Sequence, residues 1–299
     1  MFGSAVAGMA ARGAGRLDRA CALLVPAVEV LSASGDANGF AYRYQLSRTM
    51  ACSMRGSTDE AVAALATLEE RRHPSWRYLD YEHALARGWV AAAQGAVSQA
   101  TTAALSAAET ARANGQFASE VLCLQAATQF GDRSCAPRLR ELETVVEGPR
   151  VGVAARFAAA LHDDDSAELG AVSEDFERMG DLVAAADAAA HAAESFRRQG
   201  MRGSACGCAT RAQALADLCG GAGTPALRGG AEPLALTSRE REVIALMGEG
   251  LTNRAVAERL DVSVRTVEGH IYRAMSKTGV TTRDVLAELV PRPRFEADE

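Results

Sequence analysis

Small, polar and basic residues on one side of the segment 264–278 could form hydrogen bonds with the base edges of DNA. The residues of this side that would face the bases are Glu268, Gly269, Tyr272 and Arg273. A carboxylate can accept a hydrogen bond from a cytosine amino group, although Glu268 could equally pair with a nearby arginine. Gly269 removes bulk where a helix axis would come closest to the bases.

The other side of this segment is apolar at helical spacing, which predicts a helix buried along one face. The apolar stripe consists of Val264, Val267, Ile271 and either Ala274 or Met275. A helix with these two faces fits the major groove, which is about 12 Å wide. The segment is therefore a candidate DNA-reading helix.

Three further helices are predicted around this segment, so that 236–290 forms a four-helix module. Thr237 and Glu240 make a capping box at the start of the first helix. Thr252 and Ser263 are suitable N-caps for the second and third helices. The residues predicted to point inward from the first, second and fourth helices are apolar and helically spaced: Val243, Ile244, Leu246, Met247, Val256, Ala257, Leu260, Val285, Leu286, Leu289 and Val290.

The module resembles the LuxR-type (NarL/GerE-type) helix-turn-helix. Four motifs in order carry the resemblance: Leu236-Thr237-x-Arg239-Glu240-x-Glu242-Val243, Gly250-Leu251-Thr252-Asn253-Arg254-x-Val256-Ala257, Ser263-Val264-Arg265-Thr266-Val267-Glu268-x-His270 and Lys277-Thr278-Gly279-Val280. The resemblance implies base readout from the third helix. It also implies phosphate contacts from Thr252, Asn253, Arg254, Ser263, Arg265, Thr266 and Lys277.

The family further implies a homodimer that reads two half-sites about one turn of double-stranded DNA apart. Dimer contacts from the fourth helix would involve Val285, Leu286 and Leu289. Two departures leave the target sequence open: the base-facing residues include no lysine, and Thr278 stands where a leucine is common. His270 is common in the family, and we interpret it as a wedge in the helix packing.

The charge balance favours a sequence-specific DNA-binding protein that uses a few locally placed basic residues. From residue 234 onward there are 10 basic and 11 acidic residues, and the preceding part has 22 basic and 27 acidic residues. A nonspecific nucleic-acid binder needs a basic excess. One copy of the module is therefore expected to bind weakly, which favours a dimer.

The composition predicts an all-α protein, because the chain is 48% hydrophobic but only 5% aromatic and much of the remainder is alanine. No apolar run is long enough for a membrane span, and the first residues do not resemble a signal peptide. Seven scattered cysteines suit a reducing cytoplasm. We expect a cytoplasmic protein that is not bound to a membrane.

The sequence offers no support for catalysis, a cofactor or a metal site. Lys277 is the only lysine, so neither a P-loop nor a phosphate-receiver domain can be assembled. Cys206-Gly207-Cys208, together with Cys219, is interpreted as small-residue packing rather than as a metal site or disulfide. His162-Asp163-Asp164-Asp165 is interpreted as a solvated loop with N-capping. We therefore expect no enzyme activity.

Residues 1–219 are predicted to form an alanine-rich array of helix pairs similar to tetratricopeptide repeats. Turn signals at Asn38-Gly39, Asn114-Gly115, Gly180 and Gly200 separate the helices. No clean repeat period occurs, so an irregular helical bundle is the alternative. A repeat array would offer a surface for a protein or small-molecule effector. Residues 220–235 are rich in glycine and proline and are predicted to be the linker, and 291–299 the tail.

A longer resemblance is to the end of the large ATP-binding LuxR regulators of actinobacteria. It rests on Phe176-Glu177-Arg178-Met179-Gly180, Arg197-Arg198-Gln199-Gly200 and Gly223-Thr224-Pro225-Ala226-Leu227. Those proteins carry a nucleotide-hydrolysing domain, a helical array and then this module. The chain would contain the last two parts, as a shortened relative or as a fragment.

Together these observations predict a sequence-specific transcriptional regulator, and we expect an activator. Two alternatives remain open at this point. The array could be the working part of a protein-interaction scaffold whose DNA module is vestigial. The chain could also be part of a larger regulator whose ATPase domain was lost or lies outside it.

Overall fold

The computed structural model describes residues 2–36, 38–72, 74–230, 236, 238–278, 280 and 282–288. The described residues form helices and connecting turns, and no β-strand occurs among them. The predicted all-α class is confirmed. The helices are α1 (Phe2–Gly13), α2 (Leu17–Ala33), α3 (Phe40–Met54), α4 (Thr58–Glu70), α5 (Asp80–Ala93), α6 (Val97–Ala113), α7 (Phe117–Gln129), α8 (Ala136–Leu142), α9 (Pro149–Asp163), α10 (Ser166–Met179), α11 (Leu182–Arg198), α12 (Arg202–Leu218), α13 (Pro225–Gly230), α14 (Ser238–Gly248), α15 (Asn253–Arg259), α16 (Val264–Thr278) and α17 (Arg283–Glu288), with a 3₁₀ segment at Pro74–Leu79.

The chain divides into two compact units. The first contains residues 1–192 and 211–230, and the second contains residues 193–210 and 231–299. The helices of the candidate DNA module, α14 to α17, all belong to the second unit.

Within the first unit, helices that follow one another in sequence pack against each other from α1 to α7. In addition, α3 packs on α5, α5 on α7 and α7 on α9. The helices α3, α5 and α7 begin at Phe40, Asp80 and Phe117, so their spacing is 40 and then 37 residues. Tetratricopeptide repeats have a period of about 34 residues. The uneven spacing explains the lack of a clean sequence period, and the tetratricopeptide assignment stays a prediction.

Alanine builds much of the core of the first unit. In α11, Ala184, Ala185 and Ala188 are fully buried, because small side chains let neighbouring helices approach closely. The few large aromatic residues fill the remaining space between helices: Phe157 and Phe176 meet edge to face, with ring centroids 5.7 Å apart. The low aromatic content is thus compatible with a packed core.

The predicted helix boundaries of the array are confirmed at several turns. The turn predicted at Asn114-Gly115 separates α6, which ends at Ala113, from α7, which begins at Phe117. α10 ends before Gly180, whose φ of 85° is a left-handed conformation that glycine adopts without a Cβ clash.

The segment predicted as a linker begins with ordered structure. Over 220–230 it includes the short helix α13, and Thr224 is 1% exposed. The Gly223 N–H donates a hydrogen bond of 2.9 Å to the Met54 carbonyl of α3. Glycine content alone predicted flexibility here, whereas these contacts fix the segment within the first unit. Residues 231–235 lie outside the described residues.

A buried carboxylate anchors this segment. Asp187 on α11 is fully buried and accepts hydrogen bonds from the Thr224 hydroxyl and, at 2.7 Å, from Gln129 Nε2. Burial raises the pKa of Asp187 to about 7, because the interior disfavours the charged form.

The residue clusters that resemble metal sites have structural partners. Asp165 caps α10 by accepting from the Glu168 N–H at 3.0 Å, which confirms the predicted N-capping, and His162 Nδ1 donates to the Arg133 carbonyl at 2.9 Å. None of the seven cysteines forms a disulfide. Among the described residues no group of three or more His, Cys, Asp or Glu side chains could hold a metal ion. None of the described helices is long and apolar enough to cross a bilayer.

Candidate nucleic-acid interface

The four module helices pack around a small apolar core. The residues predicted to point inward from α14 and α15 are buried or half-buried, including Val243, Ile244 and Val256 at 0% exposure. The α16 stripe is confirmed at Val267, Ile271 and Ala274. The prediction that Val264 belongs to the buried stripe was wrong, since this residue is 40% exposed. Val264 is the first residue of α16, and the buried part of the stripe begins one turn later.

Local hydrogen bonds cap the starts of α15 and α16. The Thr252 hydroxyl accepts from the Ala255 N–H at 3.3 Å, and the Ser263 hydroxyl accepts from the Thr266 N–H at 3.1 Å. Asp261, in the turn, has a φ of 51°, a left-handed conformation that aspartate tolerates better than most residues. The predicted N-caps at Thr252 and Ser263 are confirmed. The proposed capping box cannot be described in full, because Thr237 lies outside the described residues.

The outward face of α16 carries the residues that the sequence assigned to base contacts. Glu268 is exposed and Tyr272 is 76% exposed. A Cβ added at Gly269 would meet only the guanidinium of Arg273, at 3.5 Å. The face therefore presents an exposed aromatic hydroxyl and a carboxylate on either side of a position without bulk.

Arg273 is directed back towards the module. Its Nη2 lies 3.1 Å from His270 Nδ1, and its Nε lies 3.8 Å from a Glu240 oxygen. Burial, followed by the charge of Arg273, lowers the pKa of His270. This geometry fits the interpretation of His270 as a packing residue.

Lys277 is bound to a buried carboxylate. Its Nζ lies 2.8 and 3.0 Å from the two oxygens of Glu240, and the Glu240 side chain is 2% exposed. A carboxylate at this depth needs a counter-charge. The structure thus gives the only lysine a role in joining α14 to α16, in addition to the predicted phosphate contact, which stays a prediction.

The remaining phosphate candidates cluster at the N-termini of α15 and α16. Arg254 is highly exposed and pairs loosely with Glu258 at 3.3 Å. Asn253 Oδ1 accepts a hydrogen bond from Arg283, so the amide nitrogen is the group that can donate to a phosphate. The other members of this group are exposed: Thr252, Ser263, Arg265 and Thr266.

Val285 and Leu286 of the fourth helix were both predicted to point inward, and the structure buries only Leu286. Leu286 is fully buried in the core that α14 and α17 share. This corrects its assignment to the dimer contact, because a core side chain cannot also reach a partner. Val285 is 45% exposed and remains a candidate. Leu289 lies outside the described residues.

Sequence reasoning missed two residues that hold the interface together. Glu240 was assigned only to a cap, and Arg283 was not singled out. Arg283 braces the start of α15 by donating to the Asn253 side chain and, at 3.0 Å, to the Leu251 carbonyl. An arginine in the first turn of a helix opposes the helix dipole, and this local conflict was the available signal for a tertiary partner.

Thr278 replaces a leucine that is common in the family, and the structure shows how the hydroxyl is tolerated. The side chain is 4% exposed, and its Oγ1 donates to the Ala274 carbonyl at 2.8 Å. The buried hydroxyl is therefore satisfied by its own helix.

A capped helix, a tight turn and a second helix with one exposed face define the helix-turn-helix class of DNA-binding domains. Residues 234–290 match the protein family described as "Bacterial regulatory proteins, luxR family". These residues therefore form a LuxR-family helix-turn-helix domain.

Known relatives align over a similar length. A monoamine regulon transcriptional regulator of Klebsiella aerogenes is 40% identical over 60 residues, which are 20% of this chain and 25% of the relative. The DNA-binding transcriptional activator DevR/DosR of Mycobacterium tuberculosis is 41% identical over 61 residues, 19% of this chain and 28% of the relative. The tetrathionate response regulatory protein of Salmonella typhimurium is 44% identical over 57 residues, which are 19% of this chain and 26% of the relative.

The chain thus spans about a quarter of the length of these relatives. No solved structure matches the chain. The longer resemblance to ATP-binding regulators stays a prediction, because these matches are limited to about a fifth of the chain.

Proposed function

We propose that this protein is a sequence-specific DNA-binding transcriptional regulator that inserts α16 into the major groove. The observation that carries the proposal is the geometry of α16, whose apolar stripe is buried while Glu268, Gly269 and Tyr272 face outward. The LuxR-family match over 234–290 supports the same function. The relatives above are named as transcriptional regulators or as an activator, and on that basis we propose activation.

Base contacts would come from Tyr272 and Glu268, with the backbone of α16 approaching the bases at Gly269. Arg273 must release His270 and Glu240 to reach a base, and it is 55% exposed, with room to do so. An arginine pairs best with the N7 and O6 acceptors of guanine. We therefore expect a guanine, if any base, opposite Arg273.

Phosphate contacts would flank this face. The helix dipole favours an anion near the N-terminus of α16. Arg254 and Arg265 are exposed beside the N-termini of α15 and α16. These contacts would set the position of the protein on DNA without reading sequence.

We further propose that the protein binds DNA as a homodimer. The module and its tail carry 10 basic and 11 acidic residues, so a single copy gains little from nonspecific attraction. Two copies on half-sites about one turn apart would double the specific contacts. Val285 is the exposed apolar residue among the described residues of α17 and could make such a contact.

The helical array would bind the signal that controls the module, and a regulator of bacterial DNA would act in the cytoplasm. Selection of random duplex DNA by the full-length chain, followed by sequencing, tests the function. A two-fold symmetric motif with half-sites near one turn apart is the expected result. Failure to enrich any sequence, with the array still binding a partner, would favour the scaffold alternative. Binding of ATP by the intact chain would contradict the interpretation that its single lysine excludes a nucleotide site.

A further inference from the structure

A cavity of about 440 Å³ lies within the first unit. Its walls come chiefly from α1, α3, α5 and α7, with Arg150 of α9 at one side. This volume lies within the range of about 300–1,000 Å³ that is typical of small-molecule sites. The cavity therefore has room for one small organic ligand.

Three arginines line the cavity, and one of them, Arg12, forms an ion pair with Glu82 but keeps one guanidinium N–H without an acceptor among the described residues. Arg150 is occupied, because it donates to Asp181 and, at 3.0 Å, to Gln125 Oε1. Arg43 donates to the Tyr78 hydroxyl at 3.0 Å and lies over the Trp76 ring. These two cations already have their partners.

Arg12 on α1 is the exception. Its Nη2 is 3.4 Å from Glu82, and its Nη1 is 3.8 Å from the Met50 sulfur, which is a weak acceptor. Its Nε is buried and has no hydrogen-bond partner among the described residues. A guanidinium carries five donors, and a carboxylate satisfies two of them at once in the bidentate arrangement.

The remaining wall near Arg12 is apolar and rich in sulfur. Met9, Met50 and Met54 line it together with Leu85 and Trp89. Methionine side chains adapt to irregular shapes and make favourable contacts with the edges of aromatic rings. Such a wall suits a flat aromatic group.

The net charge of the lining residues favours a ligand with a single negative charge. Among the described lining residues there are three arginines (Arg12, Arg43 and Arg150) and two carboxylates (Glu82 and Asp181). A monoanion neutralises the excess, whereas a phosphate dianion would place its second charge towards the two carboxylates. A cation would be repelled by Arg12.

We propose that this cavity binds an aromatic monocarboxylic acid, with its carboxylate on Arg12 and its ring against Met50, Met54 and Trp89. The ligand would be the effector of the array, and only this regulatory role depends on the proposed DNA-binding function. Binding itself depends on the first unit alone.

Isothermal titration of the full-length chain, without DNA, with 2-naphthoate, 2-naphthamide and octanoate tests the proposal. The expected result is one 2-naphthoate per chain, with at least about tenfold weaker binding of the uncharged amide and of the flexible acid. Absence of heat with 2-naphthoate, equal binding of the amide, or tighter binding of octanoate would overturn it.

Two variants locate the site. Arg12→Met keeps the aliphatic stem and should weaken 2-naphthoate binding at least about tenfold. Arg87→Met removes an exposed arginine that pairs with Glu69 on the outside of the array, and it should bind normally. Unchanged affinity in Arg12→Met would refute the assignment.

A third variant covers the case in which Arg12→Met does not fold. Leu122 lines the cavity but is 40% exposed, so Leu122→Trp should fold and obstruct the site. Retained affinity in this variant would also contradict the proposal. The titration contains no DNA, so its result does not depend on DNA binding. A chain that binds 2-naphthoate but selects no DNA sequence would contradict the regulatory function and would still support this ligand site.

Discussion

Replacing Lys277 with alanine should loosen the DNA-binding module, because it removes the partner of a buried carboxylate. Breaking a fully buried ion pair costs about 3–5 kcal/mol. The Lys277 side chain is 33% exposed, and Arg273 lies 3.8 Å from the same carboxylate. Solvent and Arg273 therefore offset part of the loss, and we expect the module to lose about 1–3 kcal/mol.

Hydrogen exchange followed by mass spectrometry measures this loss in the full-length chain. Peptides from 238–278 should exchange about 5- to 140-fold faster in Lys277→Ala, since each 1.4 kcal/mol is a factor of ten. Peptides from the first unit should be unchanged. Arg265→Ala is the matched control: Arg265 is exposed, and its loss should change stability by less than about 0.5 kcal/mol.

A second substitution separates the ion pair from other effects of the mutation. Glu240→Gln removes the buried charge, so adding it to Lys277→Ala should restore much of the protection. The control variant Arg265→Ala should have a separate effect on DNA binding: it should lower the salt dependence of the affinity by about one unit of slope without loosening the module. Unchanged exchange in Lys277→Ala, or no rescue by Glu240→Gln, would refute the reasoning.

Two further substitutions test other parts of the structure. Leu286→Ala should destabilise the module by about 2–5 kcal/mol through loss of core packing. Val285→Asp should leave hydrogen exchange in the module nearly unchanged and should weaken dimerisation, as measured by analytical ultracentrifugation. The opposite pattern would place Leu286 on the dimer surface. Asp187 has a pKa raised from 3.8 to about 7 by burial, so it contributes stability at low pH that is lost as the pH rises from about 4 through 7. The urea midpoint of the wild type, followed by tryptophan fluorescence, should therefore fall relative to that of Asp187→Asn over this range, and parallel pH profiles would show that the carboxyl group does not hold a proton.

The local features of the module could be predicted from the sequence because they depend on neighbouring residues. The hydroxyl side chains of Thr252 and Ser263 indicated where α15 and α16 begin, and the spacing of apolar residues identified the buried face of α16. The pairing of Lys277 with Glu240 was not predictable in this way, because 37 positions separate the two residues. Leu286 was predicted both to point inward and to contact a partner subunit, since periodicity gives an apolar stripe but does not say what covers it.

The array shows the same limit on a larger scale. Glycine signals located the helix boundaries, and alanine content predicted close packing. The cavity around Arg12 combines side chains from at least four helices, and no sequence spacing brings them together. The anchoring of Thr224 by Asp187 likewise overrode the flexible character that glycine and proline suggested.

The substitution Gly269→Glu tests whether α16 faces the major groove. A Cβ added at this position would meet only the guanidinium of Arg273, and glutamate favours helix over glycine, so the fold should be retained. The measurement is fluorescence anisotropy of the full-length variant on the duplex that the wild type selects, beside Gly170→Glu, which adds the same charge at an open position on α10. We predict a loss of affinity of about 100-fold or more for Gly269→Glu, from its steric and like-charge conflict with DNA, and wild-type affinity for Gly170→Glu. Wild-type affinity in Gly269→Glu would contradict the account, because this face of α16 could not then lie in the groove.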